Sequence, residues 1–157
     1  MPSDRVDIIV PSYLNEQLTT ACFRSIRKNT KPSSYRIIWV DGGSSDLSVA
    51  SAELAGLDYV LIEFATNQGF VTMVNEGLRI SDGGLVCLLN NDTLVSSRWL
   101  EKLKATLAAN EKLGIVGPLT DYYRSDGGPT SMDSHHSLTL HDTLLPPEAR
   151  EWDLEKI

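Results

Sequence analysis

Five short, almost wholly apolar runs recur through the first 120 residues: VDIIV (6–10), YRIIWVD (35–41), DYVLIEF (58–64), LVCLLN (85–90) and IVGPL (115–119). None alternates strictly between apolar and polar residues, so each is expected to be a strand covered on both faces. Pro11 is expected to stop the first. Segments with helical spacing lie between the runs. Leu18, Ala21, Cys22, Ser25 and Ile26 predict a helix over 17–28. A second is expected over 47–55, with Asp46 as its cap and Gly56 past its end. A third covers 70–80. A fourth covers 96–114, with Leu100, Leu103 and Leu107 on one face, Ser96 or Ser97 as cap and Gly114 as terminator. Strands alternating with helices specify an α/β fold: a mainly parallel sheet with helices on both faces, three layers in all. Ligands of such sheets bind beyond the carboxyl ends of the strands. That rule selects Pro11 to Glu16, Asp41 to Asp46, Ala65 to Gly69 and Asn90 to Asp92, which are also the polar and Gly-rich stretches.

The pattern stops after residue 120. Residues 1–120 are therefore expected to form the working domain, and 121–157 an irregular C-terminal segment of the same domain or an oligomer contact. A short strand near Leu138 to Leu140 and a terminal helix from Pro147 are the elements expected there. His135, His136 and His141 lack carboxylates at metal-site spacing and read as a solvated loop.

The formal net charge of −7 excludes a general attraction for nucleic acid phosphates. No apolar run approaches the length of a membrane span, and the N-terminus lacks the apolar stretch of a secretory signal. Cys22 and Cys87 each sit inside an apolar segment, where buried free thiols are expected; a cytoplasmic location follows from these signs.

The segment VCLLNNDTLV (86–95) poses a chemical question. A buried run ends in two amides and a carboxylate. Asp92 at a strand tip reads either as a turn or capping residue or as a cation ligand. Asn90 and Asn91 read equally as turn residues or as ligand contacts. Asp41 is either a turn carboxylate capped by the GGSS amides or a ligand contact. Gly42 to Ser45 are either an anion-binding nest of backbone amides or a plain turn. Asn67 to Gly69 enter the next helix as a turn or a binding loop, and Tyr13 is a stacking platform or a rim residue.

DIIVPSYLNE, WVDGGSSD, NQGFVTMVNEG and LLNNDTLV follow one another in a spacing that resembles the family-two inverting glycosyltransferases, and most of all their rhamnosyltransferase-like members. The resemblance covers residues 5 to 120. Four motifs in order, each at a strand end, are far more specific than any one alone. It implies a GT-A fold, a nucleotide-diphosphate-sugar donor linked to UDP, dTDP or GDP, and a Mg²⁺ or Mn²⁺ ion. By motif position, Pro11, Tyr13 and Glu16 border the nucleoside and Asp41 accepts a hydrogen bond from the base. Asn67 and Gly69 lie near the ribose and diphosphate, Asn91 joins the nucleotide-sugar contacts, and Asp92 is the metal ligand.

The chain departs from the family pattern in three places. Asn90 stands where the Asp-X-Asp motif has its first carboxylate. Gly42 stands where a second Asp is usual. No stretch after 120 matches the family's acceptor half, its general base or its Gln-X-X-Arg-Trp motif; Trp152 follows Glu151 instead. Asp121 and Asp126 are the nearest substitutes for a base. Three functions are therefore weighed: a metal-assisted inverting transferase or its donor-binding half, a catalytically incomplete nucleotide-sugar module, and an oligomerising scaffold. A homo-oligomer is expected, through Tyr122, Tyr123 and Leu138 to Leu145.

Overall fold

The computed structural model describes residues 5–82 and 84–118. The chain divides into two compact units, Met1–Ser97 and Arg98–Ile157. The first contains β1 (Val6–Ser12), α1 (Glu16–Asn29), a 3-10 turn (Pro32–Ser34), β2 (Tyr35–Asp41), α2 (Ser48–Glu53), β3 (Tyr59–Glu63), α3 (Phe70–Ile80) and β4 (Leu85–Leu88). All pairings in the sheet are parallel and the order is β3-β2-β1-β4. The α/β fold expected from the apolar runs is the one observed.

Alternation along the two inner strands divides the core between two helical layers. Ile9, Ile38, Val40 and Met73 pack together on one face, with Ile62, Phe64 and Ile80 against them. On the other face Phe23 of α1 meets Trp39 edge-on, with ring centroids 5.0 Å apart and planes at 75°. α1 buries Thr19, Cys22, Phe23 and Ile26 at helical spacing. Glu16 in its first turn and Arg27 and Lys28 in its last suit the helix dipole. At the amino ends of the strands, buried Asp7 accepts both arms of the Arg36 guanidinium, at 2.9 and 2.6 Å, and the Asp82 amide at 3.0 Å. This bidentate pair ties β1, β2 and the turn before β4 together. No helix among the described residues is long and apolar enough to cross a membrane.

Several sequence expectations are corrected. β1 runs through Pro11 to Ser12. The Ile9 carbonyl accepts the Leu89 amide, so the backbone of residue 11, two positions on, faces the same side. Pairing with β4 ends at Ile9 and Leu88, while pairing with β2 continues through Pro11 to Ser12, so the strand runs on where the ladder does not need the Pro11 N–H. Residues 115–118 form no strand, and Ile115 is 90% exposed. Gly117 and the donor-less Pro118 are poor strand residues; Leu119 lies outside the described residues. The outer strands are not covered on both faces: Tyr59, Val60, Leu85, Val86 and Leu88 are all exposed. The physical reason is that α3 packs over β1 and β2, leaving the flanks open.

In the second unit, α4 spans only Trp99–Ala108. Arg98, in a left-handed conformation, occupies the cap position in place of Ser96 or Ser97. Asn110 turns the chain before Gly114 is reached: its carbonyl takes the Leu113 amide at 2.9 Å and its side chain takes the Lys112 amide at 3.0 Å. The cap position of α2 is likewise Leu47 rather than Asp46, and Leu47 makes no side-chain capping bond.

Gly77 lets α3 approach β1 closely. A Cβ there would lie 2.6 Å from Cγ2 of Ile9, well inside contact distance. Gly77→Val should therefore destabilise the fold by about 1–3 kcal/mol through overpacking. Urea unfolding measures it. The cost should be smaller in an Ile9→Ala background, because the two residues share one space; equal costs in both backgrounds would contradict the close approach.

Candidate functional site

The four polar loops after β1, β2, β3 and β4 gather at the carboxyl edge of the parallel sheet. The chain runs outward from β1 to β2 to β3, then crosses back to place β4 on the other side of β1. The strand order therefore reverses at β1, with β2 on one side of it and β4 on the other. A crevice at such a reversal is where open parallel sheets bind ligands.

Asp41 ends β2 and is 1% exposed. Its Oδ1 accepts the amides of Gly43 at 2.9 Å and Ser44 at 2.6 Å. Its Oδ2 accepts the hydroxyls of Ser12 and Ser44, both at 2.7 Å. A carboxylate has about four acceptor positions, so all are filled. Each hydroxyl also receives a donor: Ser12 Oγ takes the Trp39 indole N–H at 2.7 Å, and Ser44 Oγ takes the Leu14 amide at 2.9 Å. The Gly42 amide donates to the Ser12 carbonyl at 2.8 Å. Of the two roles open for Asp41, the turn role is the one seen. Of the amides named for an anion nest, those of Gly43 and Ser44 are taken by Asp41 and that of Gly42 by the Ser12 carbonyl. Gly43 adopts φ +97° against the backbone of Phe64 and Ala65. At Gly42 a Cβ would press on Met73 Sδ and the Ser12 carbonyl at 3.2 and 3.3 Å. That crowding gives a reason for glycine at 42.

The β4 tip is held by α1. The Asn91 amide donates to Thr19 Oγ1 at 2.9 Å, and Thr19 Oγ1 donates to the Asn15 carbonyl at 3.4 Å. The Cys22 thiol faces the Asn90 carbonyl at 3.7 Å. One buried helix face thus fixes both the β1 loop and the β4 tip. Asn90 and Asp92 remain exposed, so their side chains face solvent from a supported turn. Among the described residues no three His, Cys, Asp or Glu side chains gather as a metal cluster.

Between β1, β2 and α2 lies a narrow cleft with room for about one water, bordered by Ser12, Leu14, Glu16, Asp41, Ser44 and Asp46. Oε1 of Glu16 is buried in the first turn of α1 with no hydrogen-bond partner. Tyr13 is 42% exposed on the rim, whereas Pro11 is buried within β1. Asn67 Oδ1 accepts the Gly69 amide at 2.8 Å, and Gly69 at φ +78° precedes α3. That is an exposed side-chain turn delivering the N-terminus of α3 to the same edge.

Pro11, Tyr13, Glu16, Asp41, Asn67, Gly69, Asn91 and Asp92 thus all lie at one edge of the sheet. Sequence reading did not single out Ser12, Thr19 or Trp39, and gave Ser44 a place only in an anion nest or a plain turn. Their signal was weak: lone hydroxyls and an indole within apolar elements, whose partners lie 27 to 72 residues away. Asp121, Asp126, Tyr122, Tyr123, the three histidines and Leu138 to Leu145 lie outside the described residues, as does the expected segment 121–157.

The same fold is found in solved glycosyltransferases. The structure superimposes on Staphylococcus aureus TarS 1-349 in complex with UDP-GlcNAc with a TM-score of 0.63 at 19% identity, covering 76% of this chain and 38% of that one. It matches the mannosyltransferase PcManGT of Pyrobaculum calidifontis, solved with GDP-Man and Mn²⁺, with a TM-score of 0.60 at 25% identity, covering 66% and 32%. These define the architecture as the GT-A glycosyltransferase fold. The model of "Glycosyl transferase family 2" matches residues 7–153, so the chain belongs to that family. The match runs past residue 120, where the motif resemblance ends. Among curated relatives, glycosyltransferase AglE of Haloferax volcanii is 27% identical over 139 residues, 85% of this chain and 45% of that protein. The N-acetylglucosaminyltransferase of Azorhizobium caulinodans is 28% identical over 121 residues, 73% and 30%. The chain spans less than half the length of these relatives.

Both cysteines are free thiols, as expected, but only Cys22 is buried; Cys87 is partly exposed. Burial first, and then the charge of Asp92, push the Cys22 thiol up to about 12 from an ordinary 9.0. Cys22 should therefore resist alkylation at pH 8 in the folded protein and react on unfolding. A raised acid pKa stabilises the fold below the unfolded value, and that contribution is lost as pH rises from about 9 towards 12. Thiol titration with and without denaturant, and urea midpoints across that range, check both outcomes.

Proposed function

We propose that this chain is the donor-binding part of a metal-assisted, inverting glycosyltransferase that takes a sugar linked to UDP, dTDP or GDP. The observation that carries the proposal is Asp92: an exposed carboxylate on a braced strand tip, at the sheet reversal, in the metal-ligand place of a family-two motif. The nucleoside end is assigned to the β1–α1 loop that carries Tyr13 and Glu16, with Pro11 before it and Asp41 beside the cleft. The ribose and diphosphate are assigned to Asn67, Gly69 and the N-terminus of α3, where helix amides favour anions. Asn91 is assigned to the sugar side of the β4 tip.

The donor set suits a hard cation. Mg²⁺ and Mn²⁺ take oxygen ligands, and Mg²⁺ characteristically keeps several waters, so one carboxylate plus substrate phosphates suffices. The loss of a charge at Asn90 weakens the protein's own share of that coordination. When bound, the ion would neutralise the departing diphosphate. Inversion further requires a base that takes the proton of the acceptor hydroxyl. The whole reaction, its acceptor and a hexosyl or deoxyhexosyl preference remain part of the proposal. PcManGT was solved with GDP-Man and Mn²⁺, and TarS with UDP-GlcNAc, which supports the donor class.

A thermal-shift panel of UDP, GDP and dTDP sugars, with and without Mn²⁺, tests the proposal. A ligand at about a hundred times its dissociation constant adds about 2.7 kcal/mol of stability. A metal-dependent rise in melting temperature is expected with at least one donor; no rise with any at millimolar concentration, metal present, removes nucleotide-sugar binding altogether. Asp92→Ala should abolish the metal-dependent part of the rise and leave the unliganded melt unchanged, because the side chain is exposed. A variant that keeps the metal-dependent rise would make Asp92 a turn residue.

The proposal includes self-association. Leu88 is 52% exposed on β4, which has no outer neighbour among the described residues. An open apolar edge favours pairing. Light scattering at about tens of micromolar, where weak interfaces already associate, should give more than the 17.3 kDa of one chain.

A further inference from the structure

We infer that Ser44 is a positioning residue for the nucleoside end of the proposed donor site, and that Asp41 acts on the ligand only through it. The inference rests on the nucleotide-sugar proposal above and assigns within it a role to a hydroxyl that need not touch the ligand.

The loop between β1 and α1 is strained. Leu14 and Asn15 are consecutive non-glycine residues at φ 55° and 53°. L-residues leave that region readily unless neighbouring structure holds them there. The hold is visible. The Leu14 amide donates to Ser44 Oγ at 2.9 Å, and the same hydroxyl donates to Asp41 Oδ2 at 2.7 Å. On one side of this kink stands Tyr13, exposed on the rim. On the other side α1 begins with Glu16, whose Oε1 is buried without a partner. The placement of exposed Tyr13 relative to Glu16, which lines the cleft, therefore depends on the kink.

The chemistry requires a group that accepts and donates at once. A hydroxyl does both. Alanine does neither, and would leave the Leu14 amide and one acceptor position of buried Asp41 short of a partner. Threonine keeps the relay. Asp41 already accepts four hydrogen bonds, so its anchoring of the loop leaves no acceptor position for a base.

The test compares the full-length parent with Ser44→Ala, Ser44→Thr and Ser44→Cys. Isothermal titration measures UDP, GDP and dTDP in the presence of Mn²⁺, and amide exchange measures Leu14 without ligand. Ser44→Ala should melt cooperatively, bind the parent's nucleotide at least about tenfold more weakly, and exchange the Leu14 amide at least about tenfold faster. Ser44→Thr should restore both. Ser44→Cys, a weaker donor and acceptor, should fall between, and keeps the test readable if the alanine variant does not fold. Parent-like affinity in the alanine or cysteine variant overturns the inference while leaving the donor proposal intact, and so does unchanged Leu14 exchange. A parent that binds none of the three nucleotides overturns the proposal and the inference together.

Discussion

One carboxylate holds the working edge of this sheet together. Asp41 is buried at the tip of β2 and accepts four hydrogen bonds from its own chain. A buried anion is costly to leave without donors, and here each acceptor position has one. Its donors come from the β1 tip and the β2–α2 loop, and through the two serine hydroxyls from Trp39 and Leu14 as well. The consequence reaches into the core, because the Trp39 ring that feeds Ser12 is the ring that packs against Phe23 of α1. Loop geometry at the surface and packing beneath it are thus fixed by the same group.

The opposite pole uses a different device. Asp7 and Arg36 form a bidentate pair at the amino ends of the strands, with the Asp82 amide added. Hydrogen bonding to Asp7 is the main reason the Arg36 guanidinium is held above its ordinary range. A charge pair suits a pole where the chain needs only to be closed. At the carboxyl pole the anchoring is done by amides and hydroxyls instead, and among the described residues Glu16 and Asp92 have no bonded cationic partner. Anchoring groups and candidate ligand groups are thereby separated along one edge.

Much of the fold was legible because it is written locally. Strands β1 to β4 announce themselves as apolar runs, and α3 begins and ends at residues 70 and 80 as its spacing predicts. The errors share a cause. Whether Pro11 ends a strand depends on which neighbour its backbone faces, and whether 115–119 forms one depends on a partner to pair with. Neither is visible in a short window of sequence. The caps of α2 and α4 were missed for a related reason: Asp46 and Ser96 are good capping residues, but the chain enters those helices through other conformations. At the site, the motifs located all four loops, yet they did not distinguish a ligand contact from an internal anchor. Asp41 and Asn91 look alike in sequence whether they face a nucleotide or a hydroxyl of their own chain.

The charge distribution bears on how an anionic donor can be held at all. The chain carries a net −7, and the cleft is bordered by Glu16, Asp41 and Asp46. No general electrostatic attraction draws a diphosphate here. The amides of Gly43 and Ser44 are already spent on Asp41. On the proposed function, the two ends of the donor must therefore be recognised by opposite means. In the cleft the unpartnered Glu16 oxygen is the acceptor offered to an N–H group of a base. The phosphates are left to the N-terminus of α3 and to a cation shared with Asp92. On that proposal a nucleoside without phosphates would lose the second set of interactions and keep the first, and metal dependence would belong to the diphosphate rather than to the nucleoside.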